Sequence, residues 1–245
     1  METTGAIRAF ARVVRLGIAL IVMAISGSPS VHADPAPPCP GCTLDVPKAI
    51  PDGGAPLLVV LHGDREKASA AAARWRAATR ARGWVLLSLQ CPVADGCKDS
   101  WWQWRGDLGF VAKMIDAVAD NTKIDRTRIG LAGWSGGATF IGMHARAWKD
   151  TYAGFVIHGG GMDSDEDGCT PYAQRAYFLV GTKNPLHRLA VDLRARFDRC
   201  KQEVVWDVIT GGDHWAEEKA LTVKKATAIL DWIATRSFPV RPSLR

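Results

Sequence analysis

The sequence predicts an α/β domain with a mostly parallel central sheet and helices on both faces, a three-layer sandwich. Two observations support this fold class. Short continuous apolar runs recur along the chain, and such runs are typical of strands buried on both faces. Stretches with helical character separate them, and alternating strands and helices favour parallel pairing.

The strands are predicted from apolar, β-branched runs such as Pro56–Leu61 (PLLVVL) and Trp84–Leu89 (WVLLSL). A first strand at the sheet edge is expected within a Pro- and Gly-rich lead-in. In chain order the predicted strands span residues 43–46, 56–61, 84–89, 128–132, 153–158, 177–180 and 204–209.

The helices are predicted from composition and spacing. The Ala- and Arg-rich stretch 67–82 is followed by Gly83, a typical helix stop. Residues 107–120 repeat apolar side chains at helical intervals. The predicted helices span residues 67–82, 107–120, 138–148, 186–197 and 215–236.

The N-terminal residues 1–33 have the features of an export signal. Three arginines precede the apolar run Leu16–Ile25, and Val31-His32-Ala33 resembles a cleavage site. The run is short for a membrane span, which favours a cleaved signal. An uncleaved anchor is the alternative. We expect a secreted or periplasmic protein without a membrane span after cleavage. The predicted organisation is a signal peptide (1–33), a lead-in (34–55), one α/β domain (56–236) and a C-terminal tail (237–245).

All six cysteines follow the predicted cleavage site, and an even number in an exported chain suggests disulfides. The sequence does not choose among the pairings; those we favour join Cys91 to Cys97, Cys169 to Cys200 and, as a local link, Cys39 to Cys42. The formal charge of +6 comes without a dense basic run, so nucleic-acid binding is not indicated.

A motif for a nucleophilic serine lies in Gly133-Trp134-Ser135-Gly136-Gly137, which fits G-x-S-x-G between a predicted strand and a predicted helix. A sharp turn there would raise the Ser135 hydroxyl above the sheet edge and direct a helix N-terminus at it. The backbone N–H groups of Gly136 and Asp64 are expected to form an oxyanion hole. His214, which follows the last strand, is the expected general base. His62 is interpreted as a structural histidine under the loop.

Through LLVVLHG, GWSGGA and GGDHW, residues 55–236 resemble the α/β-hydrolase superfamily. Within it, the chain looks most like secreted serine esterases of the polyhydroxybutyrate-depolymerase and feruloyl-esterase kind. This resemblance implies that Ser135 is the nucleophile and His214 the base. It also implies an aspartate after the strand at 177–180, where Gly181-Thr182-Lys183-Asn184 instead places Asn184.

Three explanations for this departure stay open. Asn184 could orient the histidine with reduced activity, since an Asp-to-Asn change in a serine triad costs about 10⁴ in turnover. Asp163, after the preceding strand, could replace it as the acid. The third alternative is a non-catalytic binding protein on the same fold.

Two further features bear on ligands. The run from Asp163 to Gly168 imitates a calcium loop, but Gln174 stands where a bidentate glutamate is needed, so no metal is predicted. Trp102 and Trp134 are candidates for lining a substrate pocket.

The function predicted is that of an exported serine hydrolase that cleaves small or polymeric carboxylic esters through an acyl-enzyme on Ser135, without a cofactor. Amide or peptide hydrolysis by the same residues is a further alternative.

Overall fold

The computed structural model describes residues 35–148, 152–164, 168–170 and 174–235. The predicted signal peptide and C-terminal tail lie outside these residues. The strands are β1 (Thr43–Asp45), β2 (Ala55–Leu61), β3 (Val85–Leu89), β4 (Ile124–Trp134), β5 (Gly154–His158), β6 (Arg175–Gly181) and β7 (Glu203–Ile209). The α-helices are α1 (Ala68–Arg82), α2 (Gly109–Ala119), α3 (Gly136–His144), α4 (His187–Arg199), α5 (His214–Ala220) and α6 (Val223–Ala234).

The strands form one seven-stranded sheet in the order β1-β3-β2-β4-β5-β6-β7. Only the edge strand β1 runs antiparallel, and it pairs with β3. The other neighbours pair in parallel, as their continuous apolar sequences predict. The carboxyl ends of the central strands therefore meet at one edge, where the loops that carry the candidate site begin.

Helices cover both faces of the sheet. On one face, α1 and α6 pack against alternate strand residues such as Leu58 and Val156. On the opposite face, α2, α3 and α4 pack against the intervening residues, among them Val59 and Phe155. The three-layer α/β architecture predicted from the sequence is thus confirmed.

Two predicted helices differ from the observed ones. The single helix expected at 215–236 is divided, because α5 ends at Ala220 and the Thr222 hydroxyl caps a new helix by accepting from the N–H of Lys225. The helix expected from Ala138 begins two residues earlier, at Gly136, because the chain enters α3 directly from the turn at Ser135. Glycine has low helix propensity, and for this reason Gly136 and Gly137 were left out of the predicted helix.

The cysteines pair as favoured: Cys39 with Cys42, Cys91 with Cys97, and Cys169 with Cys200. Their Cα–Cα separations of 5.3, 5.9 and 5.4 Å lie in the usual range for disulfides. In the described part of the chain, no helix has both the length and the apolarity needed to cross a bilayer.

Candidate active site

The turn between β4 and α3 holds Ser135 in an unusual backbone conformation, with φ 50° and ψ −114°. A non-glycine residue with positive φ is uncommon and persists where the surroundings impose it. A Cβ on Gly133 would lie 2.5 Å from the carbonyl group of Gly137, and one on Gly137 would lie 2.5 Å from the carbonyl oxygen of Leu61. The glycines of the motif are therefore required by close backbone approach, and the turn presents the serine hydroxyl above the sheet.

Ser135, His214 and Glu217 form a continuous hydrogen-bonded series. The Oγ of Ser135 lies 3.0 Å from Nε2 of His214, and Nδ1 of His214 lies 2.9 Å from Oε2 of Glu217. Because a carboxylate only accepts, Nδ1 carries the proton and Nε2 is free to accept the proton of the serine hydroxyl. This is the arrangement that a nucleophile, a general base and an orienting acid require.

Glu217 is the site residue that sequence reasoning missed. It lies three residues after His214 on α5, so both side chains occupy the same side of one helical turn. Its side chain is fully buried, and its carboxylate also accepts from the N–H of Gly181 and from Nδ2 of Asn184. The His-x-x-Glu spacing at a helix start was the available signal. The Asp213 cap, which accepts from the N–H of Ala216, marks that start.

Asn184, the first candidate for supporting the histidine, donates to the acid instead. Its Nδ2 lies 2.5 Å from Oε2 of Glu217 and 3.1 Å from the carbonyl oxygen of Gly159. These two acceptors use both amide hydrogens, so the 3.1 Å approach of Nδ2 to Nδ1 of His214 is a contact between two donors. Its Oδ1 accepts from the N–H of Leu186. The amide therefore orients Glu217.

Asp163, the second candidate, does not reach His214. Its carboxylate is bound by the guanidinium of Arg196 on α4, which also donates to the hydroxyl of Ser164 at 2.9 Å. Among the described residues, the carboxylate hydrogen-bonded to His214 is that of Glu217. The expectation of an acid after β5 is corrected accordingly, because α4 supplies a cation that engages the carboxylate there.

The two residues expected in the oxyanion hole lie side by side. Gly136 is the first residue of α3, so its N–H has no partner within the helix. Asp64 lies so close that a Cβ on Gly136 would collide with its carboxylate. Ser100 and Trp102 hold that carboxylate, through Oγ at 2.5 Å and Nε1 at 2.6 Å.

His62 supports the same loop from below. Its Nδ1 donates to the carbonyl oxygen of Gly63 at 2.7 Å, and its Nε2 accepts from the N–H of Cys91 at 3.1 Å. Burial lowers the pKa of this histidine, which keeps the ring neutral. These contacts match its interpretation as a structural residue.

Trp134 lies under the catalytic histidine candidate. Its ring stacks on that of His214, with centroids 4.4 Å apart and planes 8° apart. The guanidinium of Arg74 lies 5.1 Å from the centroid of the tryptophan ring. His158 contacts the same tryptophan and donates from Nε2 to the carbonyl oxygen of Glu217 at 2.8 Å. Burial lowers the pKa of His158 to about 3.

A cleft of about 320 Å³ opens beside the first turn of α3. Its lining residues are Asp64, Trp102, Gly136, Thr139, Met162, Leu186 and Leu189. Trp102, which is 46% exposed, lines this cleft. Trp134 is only 6% exposed and does not line this cleft; its ring lies beneath that of His214.

Metal binding has no described site. In the parts of the chain that the structure describes, no group of three or more His, Cys, Asp or Glu side chains could hold an ion. Part of the acidic run after Asp163, residues 165–167, lies outside those parts.

A family model matches part of the sequence. Residues 110–188 match the model of the prolyl oligopeptidase family, peptidase S9. This segment contains Ser135 but ends before His214 and Glu217. No curated protein matches the chain.

Several solved structures resemble the protein. A thermostable esterase superposes with a TM-score of 0.62 at 20% identity, covering 80% of this chain and 59% of the esterase. This chain therefore spans about three fifths of that esterase. A truncated carbohydrate esterase from gut microbiota gives a TM-score of 0.62 at 12% identity, with coverage of 79% and 90%. Est1E from Butyrivibrio proteoclasticus, solved with ferulic acid, gives 0.57 at 14% identity, with coverage of 80% and 95%. These similarities show that the chain has the α/β-hydrolase fold.

Proposed function

We propose that this protein is a serine hydrolase that cleaves carboxylic esters through an acyl-enzyme on Ser135. The observation that carries the proposal is the series Ser135–His214–Glu217, with separations of 3.0 and 2.9 Å. Nucleophile, base and acid all come from the loop edge of the sheet, next to the cleft. The esterases among the structural neighbours support the same class of reaction.

In the proposed mechanism, Oγ of Ser135 attacks the ester carbonyl carbon while its proton passes to Nε2 of His214. The carboxylate of Glu217 stabilises the resulting imidazolium. The N–H groups of Gly136 and Asp64 donate to the oxyanion of the tetrahedral intermediate. Collapse of the intermediate breaks the ester bond, and His214 gives its proton to the leaving alcohol. Water then attacks the acyl-enzyme by the same steps and releases the carboxylic acid.

A non-catalytic binding protein is the less favoured alternative. It was raised because Asn184 stands where related enzymes carry an acid, and Glu217 supplies a carboxylate in hydrogen-bonding contact with His214. Amide hydrolysis is the second candidate, because residues 110–188 match a family of peptidases. It uses the same groups and differs in requiring protonation of a poorer leaving group.

We also propose that the protein is exported. The disulfides of the described chain are compatible with an oxidising compartment. Together with the signal-like residues 1–33, this favours the periplasm or the medium. Fractionation of cells that express the full chain tests the proposal: the processed protein is expected outside the cytoplasm, and a full-length cytoplasmic product would contradict it.

A fluorophosphonate probe tests the chemistry, because it labels only an activated serine. The wild-type protein should be labelled and should hydrolyse p-nitrophenyl butyrate, and Ser135→Ala should do neither. A matching p-nitroanilide separates the two candidate reactions: an ester hydrolase should release no p-nitroaniline above the Ser135→Ala background, whereas release that depends on Ser135 would favour amide hydrolysis. The proposal fails if the wild type resists the probe or if Ser135→Ala is labelled equally.

A further inference from the structure

We propose that the side chain of Asp64 is a specificity-determining group that disfavours acyl chains ending in a negative charge. This inference rests on the proposed function, since it concerns an ester bound at Ser135. It assigns a substrate class to the cleft: uncharged or cationic acyl groups of moderate length.

The size and lining of the cleft set the first limit. A water molecule occupies about 30 Å³ in the liquid, and on that scale the cleft of about 320 Å³ holds on the order of ten non-hydrogen atoms. Met162, Leu186 and Leu189 make most of its wall apolar, and Trp102 adds an aromatic surface. Such a site suits an aliphatic chain or a single ring.

The position of the carboxylate sets the second limit. Asp64 and Gly136 both line the cleft, and their N–H groups are the proposed donors to the carbonyl oxygen. The acyl chain stays attached to that carbonyl through both half-reactions, so we assign the cleft to the acyl group. Two donors, Ser100 and Trp102, hold the Asp64 side chain in place, so its charge is fixed at the cleft wall.

Within the described parts of the chain, the carboxylate of Asp64 lies without a direct counter-ion. Among the described residues, no basic side chain forms an ion pair with Asp64, and the other residues that line the cleft are uncharged. The carboxylate of Asp64 lies against Gly136, so a carboxylate carried by the acyl chain would share the cleft with a fixed like charge that repels it. In a partly solvated cleft this repulsion corresponds to discrimination on the order of tenfold, and salt weakens it.

Three p-nitrophenyl esters of similar length test the inference: the heptanoate, the monoester of pimelic acid and the 6-(trimethylammonio)hexanoate. For the wild type, kcat/KM for the anionic ester should be about tenfold below that for the neutral ester, and the cationic ester should match or exceed the neutral one. The anionic penalty should shrink in about 0.5 M salt. Asp64→Asn should reduce it to twofold or less. Asp95→Asn, which removes an exposed carboxylate outside the cleft lining, should retain the full penalty.

The outcomes separate this inference from the proposed function. Equal ratios of anionic to neutral rates in the wild type and in Asp64→Asn would overturn the role of Asp64 while leaving the esterase intact. A second pair of esters, 4-acetoxybenzoate and the neutral phenyl acetate, differs by a negative charge on the leaving group. If Asp64→Asn changes the ratio of rates for this pair alone, the role of Asp64 toward the acyl chain is likewise overturned. Absence of any turnover that depends on Ser135 would overturn both proposals.

Discussion

Replacing Glu217 by Gln removes one charge from the site and keeps the shape of the side chain. The carboxylate now accepts from three donors: the N–H of Gly181, Nδ2 of Asn184 and Nδ1 of His214. Glutamine has a single acceptor oxygen, and its amide nitrogen would face at least one of those donors. If the glutamine amide nitrogen faces Nδ1 of His214, two donors meet, and the imidazole avoids this contact by carrying its proton on Nε2 instead. A protonated Nε2 can no longer accept the proton of the Ser135 hydroxyl.

The expected cost follows from this change of tautomer and from the loss of charge beside the imidazolium. An Asp-to-Asn change in a serine triad lowers turnover by about 10⁴. For Glu217→Gln we expect a loss of about 10³ to 10⁴ in kcat/KM, equivalent to about 4–5.5 kcal/mol of transition-state stabilisation. Because Glu217 is fully buried, the unpaired donor should also lower the free energy of unfolding by about 1–3 kcal/mol.

Initial rates on p-nitrophenyl butyrate, with urea unfolding as a check on folding, measure both effects. Glu218→Gln is the matched control, because this neighbour on α5 pairs with Arg74 at 2.7 Å and should lose less than tenfold in rate. Asp163→Asn should also lose less than tenfold. A folded Glu217→Gln variant within tenfold of the wild type would refute the assignment of the acid, and a larger loss in Asp163→Asn would transfer the role.

Two further predictions concern charge beside the site. Asn184→Asp would place a second carboxylate against Glu217, and the two charges repel each other at high pH. The loss in free energy of unfolding relative to wild type, measured by urea unfolding, should therefore be about 1–3 kcal/mol greater at pH 8 than at pH 5. Asn184→Ala should lose the same amount at both pH values, and equal losses for Asn184→Asp would contradict the reasoning. His158 has a pKa of about 3 in the folded protein, below its ordinary value of 6.5, so between these values the unfolded chain binds a proton that the folded chain does not. The free energy of unfolding should therefore fall as pH falls from about 6.5, by up to about 1.4 kcal/mol per pH unit from this group. His158→Asn should flatten that slope, and an unchanged slope would contradict the buried neutral histidine.

The sequence was sufficient for the parts of the molecule that depend on local pattern. The apolar runs PLLVVL and WVLLSL predicted parallel, doubly buried strands, and these are β2 and β3. The G-x-S-x-G spacing placed Ser135 between β4 and α3, where close backbone contacts admit only glycine at Gly133 and Gly137. His214 followed from its position after the last strand.

The sequence was insufficient where burial depends on contacts between distant loops. Glu217 lies in a helix with charged neighbours, a context typical of a solvated face. Its burial follows from the approach of the loop after β7 to the end of β6, so close that a Cβ on Gly181 would overlap the backbone of Gly212. Likewise, the position of Trp134 next to Ser135 did not reveal that its ring faces His214. Proximity along the chain does not fix the direction of a side chain at a sharp turn.

Placing His214 and Glu217 on one turn of α5 makes the separation of base and acid a property of local helix geometry. The connection between β6 and α4 then needs only to supply a hydrogen-bond donor to the acid, as Asn184 does. The same connection contributes Leu186 to the wall of the cleft. Mutation there can reshape the cavity while the proton relay persists, so substrate preference and chemical competence can evolve on separate segments of the chain.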